Sequence, residues 1–301
     1  MSFKSGFVAI IGRPNAGKST LLNTILETEL SIVTPKAQTT REKILGILTE
    51  TQGQIVFIDT PGIHQAKEGG INEVMMREAR ESLAAPSLIW YLADPNSTLK
   101  HEQAVLELLV GTSTPVFLLM NKCDQKTNGT LEEALVQAAK DLKIPIVCSM
   151  SISARKKAGL EELLDKSWEL LSDGPLYYPD TEQLSDRPMR FFVAEKIREQ
   201  LFHLLGEEVP YSCAVEIDQF DEKAKPPRIE ATIFVERESQ KGIVIGKGGA
   251  KVKEIGQSAR RKIEELLGGQ VFLGLRVKLL KDWSKDSTAL KRLGYSLQKK
   301  G

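Results

Sequence analysis

The 301-residue sequence predicts two domains: an α/β domain with a mixed, mostly parallel sheet and helices on both faces, then a smaller α+β domain. Three observations carry this. From residue 7 to 171, short apolar runs alternate with helix-period stretches, the pattern of a sheet with covering helices. After 188 the order becomes helix, two strands, two helical pieces around a glycine-rich turn, and a strand. Between them, SDGPLYYPDTEQLSDRP (172–188) has three prolines, one glycine and no strong periodicity, the composition of a linker. The boundaries are set at 1–173, a linker at 174–188, and 189–301.

In the first domain the β-branched run FVAII opens a strand at 7–12. Further strands are expected at 44–49, 54–59, 88–93, 115–120 and 144–148. Leu21, Leu22, Ile25 and Leu26 at helical spacing mark a helix at 18–27. Others are expected near 71–85, 100–110, 130–140 and 158–171. In the second domain the expected elements are a helix at 190–205 and strands at 211–220, 229–236 and 270–280.

Composition narrows the function classes. Apolar content of 41 % suits a soluble globular protein. No apolar run reaches the ~18 residues of a membrane span, and the N-terminus lacks a secretory apolar core. Cys123, Cys148 and Cys213 are few, odd in number and widely spaced, which suggests reduced thiols in a cytosolic protein. His64, His101 and His203 are scattered and give no metal-cluster or triad pattern. Residues 1–175 carry 18 Lys/Arg and 21 Asp/Glu, net −3, whereas 176–301 carry 23 and 19, net +4.

GRPNAGKST (12–20) stands between the first strand and the first helix, the setting that G-x-x-x-x-G-K-[ST] requires. Gly12 and Gly17 let the backbone curl, so that N–H groups of Gly12, Arg13, Asn15, Ala16, Gly17, Lys18, Ser19 and Thr20 form an anion nest. Lys18 would reach the β- and γ-phosphates, Ser19 would ligate Mg²⁺, and the helix dipole would assist. DTPG (59–62) follows the strand QIVFI. There Asp59 suits a Mg²⁺ contact and Gly62 can offer its N–H to a γ-phosphate. NKCD (121–124) follows another apolar strand. Asp124 would accept from guanine N1–H and the 2-amino group, which adenine cannot supply. Lys122 would lie along the base, and Asn121 would tie this loop to the phosphate loop. SISA (151–154) brings Ser153 and Ala154, whose N–H would meet guanine O6. Loops at the carboxyl ends of successive strands are where ligands bind in such sheets.

In the second domain GIVIGKGGAKVKEIGQSARRK (242–262) centres on GKGG, 246–249. From 239 to 262 there are seven Lys/Arg and one Glu. A GxxG loop between helices clamps about four nucleotides in KH modules. Ile245, Gly246, Lys247, Gly248, Gly249, Lys251 and Lys253 are the expected RNA contacts. Ile243, Val244, Ile245, Val252 and Ile255 would line an apolar groove for bases. A lone GxxG is better read as a glycine turn with a solvated basic helix. The charge run and the α-β-β-α-α-β order favour a type II KH domain.

GRPNAGKS, QTTRE (38–42), DTPG, NKCD and SA resemble the five sequence boxes of a translation-factor-like GTPase. QTTR is similar to the first switch of the Era family, bacterial ribosome-assembly GTPases, and the resemblance runs through to DWSKDSTALKRLGY (282–295). It implies that Thr40 ligates Mg²⁺ when GTP is bound, completing a set with Ser19 and Asp59. It also matches Asn15 to a phosphate-loop asparagine that helps hold K⁺ in related GTPases. Ile63 stands where Ras-like enzymes place a water-orienting glutamine, which leaves that role unassigned. The resemblance further implies a slow Mg²⁺-dependent GTPase in which residues 31–42 and 59–75 respond to GTP and GDP. Its partners would be the 3′ region of 16S ribosomal RNA and the 30S subunit. It would be a cytoplasmic monomer, also found peripherally at the inner face of the membrane. Two rival readings remain at this point. One is an RNA-binding adaptor that barely turns over nucleotide, and the other is a signalling GTPase whose basic region binds lipid or protein.

Overall fold

The computed structural model describes residues 3–34, 36, 39–63, 69–126, 129–206 and 208–295. It divides into two compact units. The first takes in residues 1–67 and 75–186, the second 68–74 and 187–301. Pro35, Ala37, Gln38 and residues 64–68, within the stretches expected to respond to nucleotide, lie outside the described residues.

In chain order the first unit contains β1 (Lys4–Gly12), α1 (Lys18–Ile25), β2 (Ile44–Glu50), β3 (Gly53–Asp59) and the later turns of α2 (Gly70–Glu81). It continues through β4 (Leu88–Ala93), α3 (Leu99–Leu109), β5 (Val116–Met120), α4 (Leu131–Asp141), β6 (Ile146–Ser151) and α5 (Leu160–Leu170). The sheet order is β2-β3-β1-β4-β5-β6. Only the β2–β3 pair is antiparallel. Side-chain alternation along β4 shows why both faces are covered. Tyr91 points one way and donates its hydroxyl to Glu102 on α3 at 2.9 Å. Trp90 points the other way and donates its indole N–H to Ser167 on α5 at 3.2 Å. Both rings are fully buried.

The stretch expected as a linker packs on this first unit as far as 186. Ile47 donates its N–H to the Leu184 carbonyl at 2.9 Å, and Ser185 Oγ donates to the Leu45 carbonyl at 2.6 Å. Gln54 exchanges two hydrogen bonds with the Tyr178 backbone. The segment satisfies backbone groups of β2, an edge strand that would otherwise present unpaired N–H and C=O groups. Its proline content suits that extended course without a helix or strand of its own.

The second unit contains α6 (Met189–Leu204), β7 (Cys213–Asp221), β8 (Arg228–Val235), α7 (Glu238–Ile245), α8 (Ala250–Leu267), β9 (Phe272–Leu279) and a short α9 (Ser287–Arg292). Its sheet order is β7-β8-β9, antiparallel then parallel. One core, including Val193, Ile197, Ile233, Val244, Ile255 and Ile263, joins α6, α7 and α8 to the sheet. A second cluster gathers Val74, Phe234, Trp283, Leu290 and Tyr295. Trp283 is fully buried and donates its indole N–H to the Ser212 carbonyl at 2.9 Å. Asp286 caps α9 by accepting from the Ala289 N–H at 2.6 Å.

Candidate functional site

The loops after β1, β3, β4, β5 and β6 all leave the carboxyl ends of parallel strands, so the sheet itself gathers the sequence-predicted residues. The turn from Gly12 to Gly17 leads directly into α1. Gly17 holds φ +102°, and a Cβ there would stand 2.2 Å from Asn121 Nδ2. Glycine at 17 is therefore required twice, by dihedral and by space. Gly62 packs against Pro14, whose backbone would be 2.7 Å from an added Cβ. Asn15 is exposed at φ +63°, a left-handed position that asparagine tolerates.

Lys18 is 6 % exposed, and its ammonium donates to the carbonyls of Gly12 (3.0 Å) and Arg13 (2.9 Å). Burial pulls it down to about 8, against the charges of Asp59 and Glu102. One residue on, Ser19 Oγ donates to Asp59 Oδ2 at 2.9 Å and lies 3.1 Å from Thr40 Oγ1. Three separate segments thus bring the three expected metal ligands together. Burial raises the Asp59 carboxyl, opposed by Lys18 and by the Ser19 hydrogen bond. Its second oxygen, Oδ1, is buried and makes no hydrogen bond among the described residues. Hard oxygen donors with one orphaned carboxylate oxygen fit a divalent cation such as Mg²⁺. Thr20, Thr34 and Thr39 line the same cleft beside Thr40 and Gly62. Ile63 is fully buried in the hydrophobic core and donates its N–H to the Gly12 carbonyl, so its side chain faces away from the cleft's solvent.

At the other end of the cleft Asn121 is the tie expected from the sequence. Its Nδ2 donates to the Ala16 carbonyl at 2.8 Å, and its Oδ1 accepts from the Ala154 N–H at 2.9 Å. That second bond engages the N–H expected to meet guanine O6. This N–H is committed to Asn121, so a base oxygen would have to share or displace it. Ser153 Oγ donates to Asp124 Oδ1 at 2.6 Å, which holds the exposed Asp124 carboxyl below its ordinary range. Lys122, at φ +66°, is anchored by Asp94 at 2.6 Å. Asp94 escaped the sequence reading. Its signal was an acid directly after the buried strand LIWYLA. Arg13 is likewise steered away from the nest, donating from Nη1 to Ser97 Oγ at 2.9 Å.

In the second unit Gly246–Gly249 joins α7 to α8 through a single tight turn. Gly248 (φ +61°) and Gly249 (φ +81°) have left-handed dihedrals but no atom within 4 Å of an added Cβ. The turn is therefore open to a ligand's backbone. Lys247 and Lys253 are exposed, while Lys251 pairs with Glu254 at 2.7 Å. The expected groove needs correction. Val244 and Ile255 are fully buried core residues, because α7 and α8 turn those positions onto the sheet. The groove beside α8 is lined instead by Val252, Lys253, Gly256, Arg260, Leu273 and Leu275. Ile245 stays half-buried beside the glycines, and Ile243 is 50 % exposed.

A phosphate nest, a hydroxyl–carboxylate cation site and a guanine-specific loop on one sheet define a P-loop GTPase domain. The α-β-β-α-α-β unit with its GKGG turn defines a KH domain. Comparison with known proteins agrees: residues 7–122 match the family model described as 50S ribosome-binding GTPase, and 208–284 match the KH domain. GTPase Era of Geobacter metallireducens is 46 % identical over 297 residues, 98 % of each chain. GTPase Era of Staphylococcus haemolyticus is 43 % identical over 294 residues, 97 % of each chain. The chain belongs to the Era family of GTPases. Two crystal structures align at TM-score 0.90 and 35 % identity, covering 98 % of this chain and all of theirs. One is Era in complex with MgGDPNP and nucleotides 1506–1542 of 16S ribosomal RNA, the other a variant of Aquifex aeolicus Era bound to GDP·AlF4⁻.

Proposed function

We propose that this chain is a GTP-operated switch that binds the 3′ region of 16S ribosomal RNA through its KH domain and assists 30S subunit maturation. The observation that carries the switch is that Ser19 Oγ lies within 3.1 Å of both Thr40 Oγ1 and Asp59 Oδ2. Among the described residues, the loop that carries Thr40 has no helix or strand of its own. A bound cation and γ-phosphate would give that loop a reason to stay, and hydrolysis would remove it. Lys18 would leave the two carbonyls that hold it and neutralise the β- and γ-phosphates. Gly62 would present its N–H to the γ-phosphate. Mg²⁺, when bound, supplies charge neutralisation at the phosphates, and the residues that would hold it are Ser19, Thr40 and Asp59. Asp124, oriented by Ser153, would select guanine, and Lys122, anchored by Asp94, would cover the base. Asn15 is proposed to help hold K⁺ near the phosphates. With Ile63 buried, no side chain there orients water, and turnover is expected on the order of 10⁻³ s⁻¹.

The RNA half rests on the open GKGG turn and on the relative seen with nucleotides 1506–1542. The same reading has the chain acting as a monomer on the 30S precursor, in the cytoplasm and peripherally at the inner face of the membrane. No helix among the described residues is long and apolar enough to cross a membrane. The test is turnover of GTP and of ATP with Mg²⁺, beside cross-linking of cellular RNA to the chain. GTP-selective turnover with recovery of the 3′ end of 16S RNA supports the proposal. Equal use of ATP, or absence of that RNA among the cross-links, refutes the corresponding half.

A further inference from the structure

Two buried polar atoms beside the cation-site residues have no partner among the described residues: Asp59 Oδ1 and Ser31 Oγ. Ser31 is 2 % exposed and Asp59 fully buried. Leaving a buried polar group unpaired is unfavourable, and Ile32, Val33 and Thr34, directly after Ser31, line the cleft with Ser19 and Thr40.

Ser31 does not reach this place by accident of a loose loop. Asn23 on α1 grips its backbone from both sides. Asn23 Oδ1 accepts from the Ser31 N–H at 2.9 Å, and Asn23 Nδ2 donates to the Ser31 carbonyl at 2.8 Å. Asn23 sits one turn beyond Ser19 on the same helix. One rigid element therefore places both a metal-ligating hydroxyl and, through the amide, the start of the loop that delivers Thr40.

We propose that Ser31, clamped by Asn23, is a positioning residue for the divalent cation. Its hydroxyl and Asp59 Oδ1 together form a polar wall that hydrogen-bonds water in the cation's shell beside Ser19 and Thr40. This rests on the cation site described under the proposed function. Outer-shell partners of this kind are worth roughly 10–100-fold in metal affinity.

The experiment loads the full chain with a fluorescent GDP and follows its dissociation from EDTA to saturating Mg²⁺. Mg²⁺ should slow release from the parent, and Ser19→Ala should erase most of that effect. If Mg²⁺ does not slow release from the parent, the cation reading itself falls. Ser31→Ala and Asn23→Ala should each need roughly tenfold more Mg²⁺ for half-maximal slowing, with parent-like release in EDTA. The double variant should shift little further, because both changes remove the same placed hydroxyl. Should Ser31→Ala fold poorly, Asn23→Ala carries the same test. A parent-like Mg²⁺ requirement in a folded variant overturns the assignment of Ser31. So does an equal change in EDTA and in Mg²⁺, or full additivity of the two substitutions.

Discussion

Gly17→Ala tests the architecture of the nucleotide site at its tightest point. The new methyl would sit at φ +102° and 2.2 Å from Asn121 Nδ2. Holding an L-residue in such a region costs about 1–3 kcal/mol. The clash adds to this, because the amide must swing out. It would then release the Ala16 carbonyl and the Ala154 N–H, bonded now at 2.8 and 2.9 Å. Each lost buried hydrogen bond costs about 1 kcal/mol, and more where the abandoned group stays dry. The total is about 3–6 kcal/mol, divided between folding and the loops that must hold nucleotide. GDP affinity should fall at least ~30-fold, at about 1.4 kcal/mol per tenfold. The midpoint of thermal unfolding without nucleotide should drop by several degrees. Calorimetric titration and a melting curve measure both. Adding Asn121→Ala removes the clashing amide, so the double variant should lose less than the sum of the two singles. GDP affinity within about threefold of the parent, or strict additivity, would refute the reasoning from Gly17 and Asn121.

Three further outcomes follow from the same geometry. Asp124→Asn should shift preference from guanine toward xanthine nucleotides, whose C2 oxygen is an acceptor, and competition binding would expose a variant that keeps the parent's preference. Lys18 is pulled by burial to about 8 in the folded chain, against 10.5 unfolded. The unfolded lysine therefore holds a proton that the folded one has shed between those values, and stability without nucleotide should rise with pH across that window. Phosphates restore the ammonium, so GTP binding should take up a proton at about pH 9. Calorimetry in buffers of different ionisation enthalpy reads this, and zero uptake would contradict it. On the KH domain, Gly249→Asp should weaken binding of a 3′ 16S RNA fragment more than Lys247→Ala does. Lys247→Ala should flatten the salt dependence by roughly one phosphate contact. Parent-like RNA affinity in a folded Gly249→Asp variant would return the basic run to a solvated face.

Much of the fold was legible because the central strands of the first sheet are short, dry and apolar while its helices keep a clean period. FVAII and LIWYLA lie within strands, and GKST lies where β1 hands over to α1. The placing of Lys18, Ser19, Asp59 and Asn121 at the carboxyl end of the sheet was legible because each stands in a motif directly after a strand. Roles set by distant partners were not. Asp94 acts through Lys122, 28 residues on, and Ser31 is placed by Asn23. The one local sign of Asp94, an acid directly after a buried strand, names no partner, and Ser31 carries no local sign at all. Val244 and Ile255 were assigned to a groove because apolar residues beside a glycine turn can face inward or outward. Only the packing of α7 and α8 on the sheet decides between these. Residues 174–186 have linker composition, yet their hydrogen bonds to β2 and β3 are made by backbone groups, Gln54 and Ser185, so no pattern of residue types announces them.

A nucleotide-controlled RNA binder must show linkage between its two ligands. The direct measurement is the affinity of the full chain for an RNA spanning the 3′ end of 16S ribosomal RNA, once with Mg²⁺ and a non-hydrolysable GTP analogue and once with GDP. The account predicts at least ~5-fold different RNA affinities in the two states, and the same factor when RNA is present and the analogue-to-GDP affinity ratio is measured instead. Identical RNA affinities in both nucleotide states, in a chain that binds both nucleotides, would contradict it.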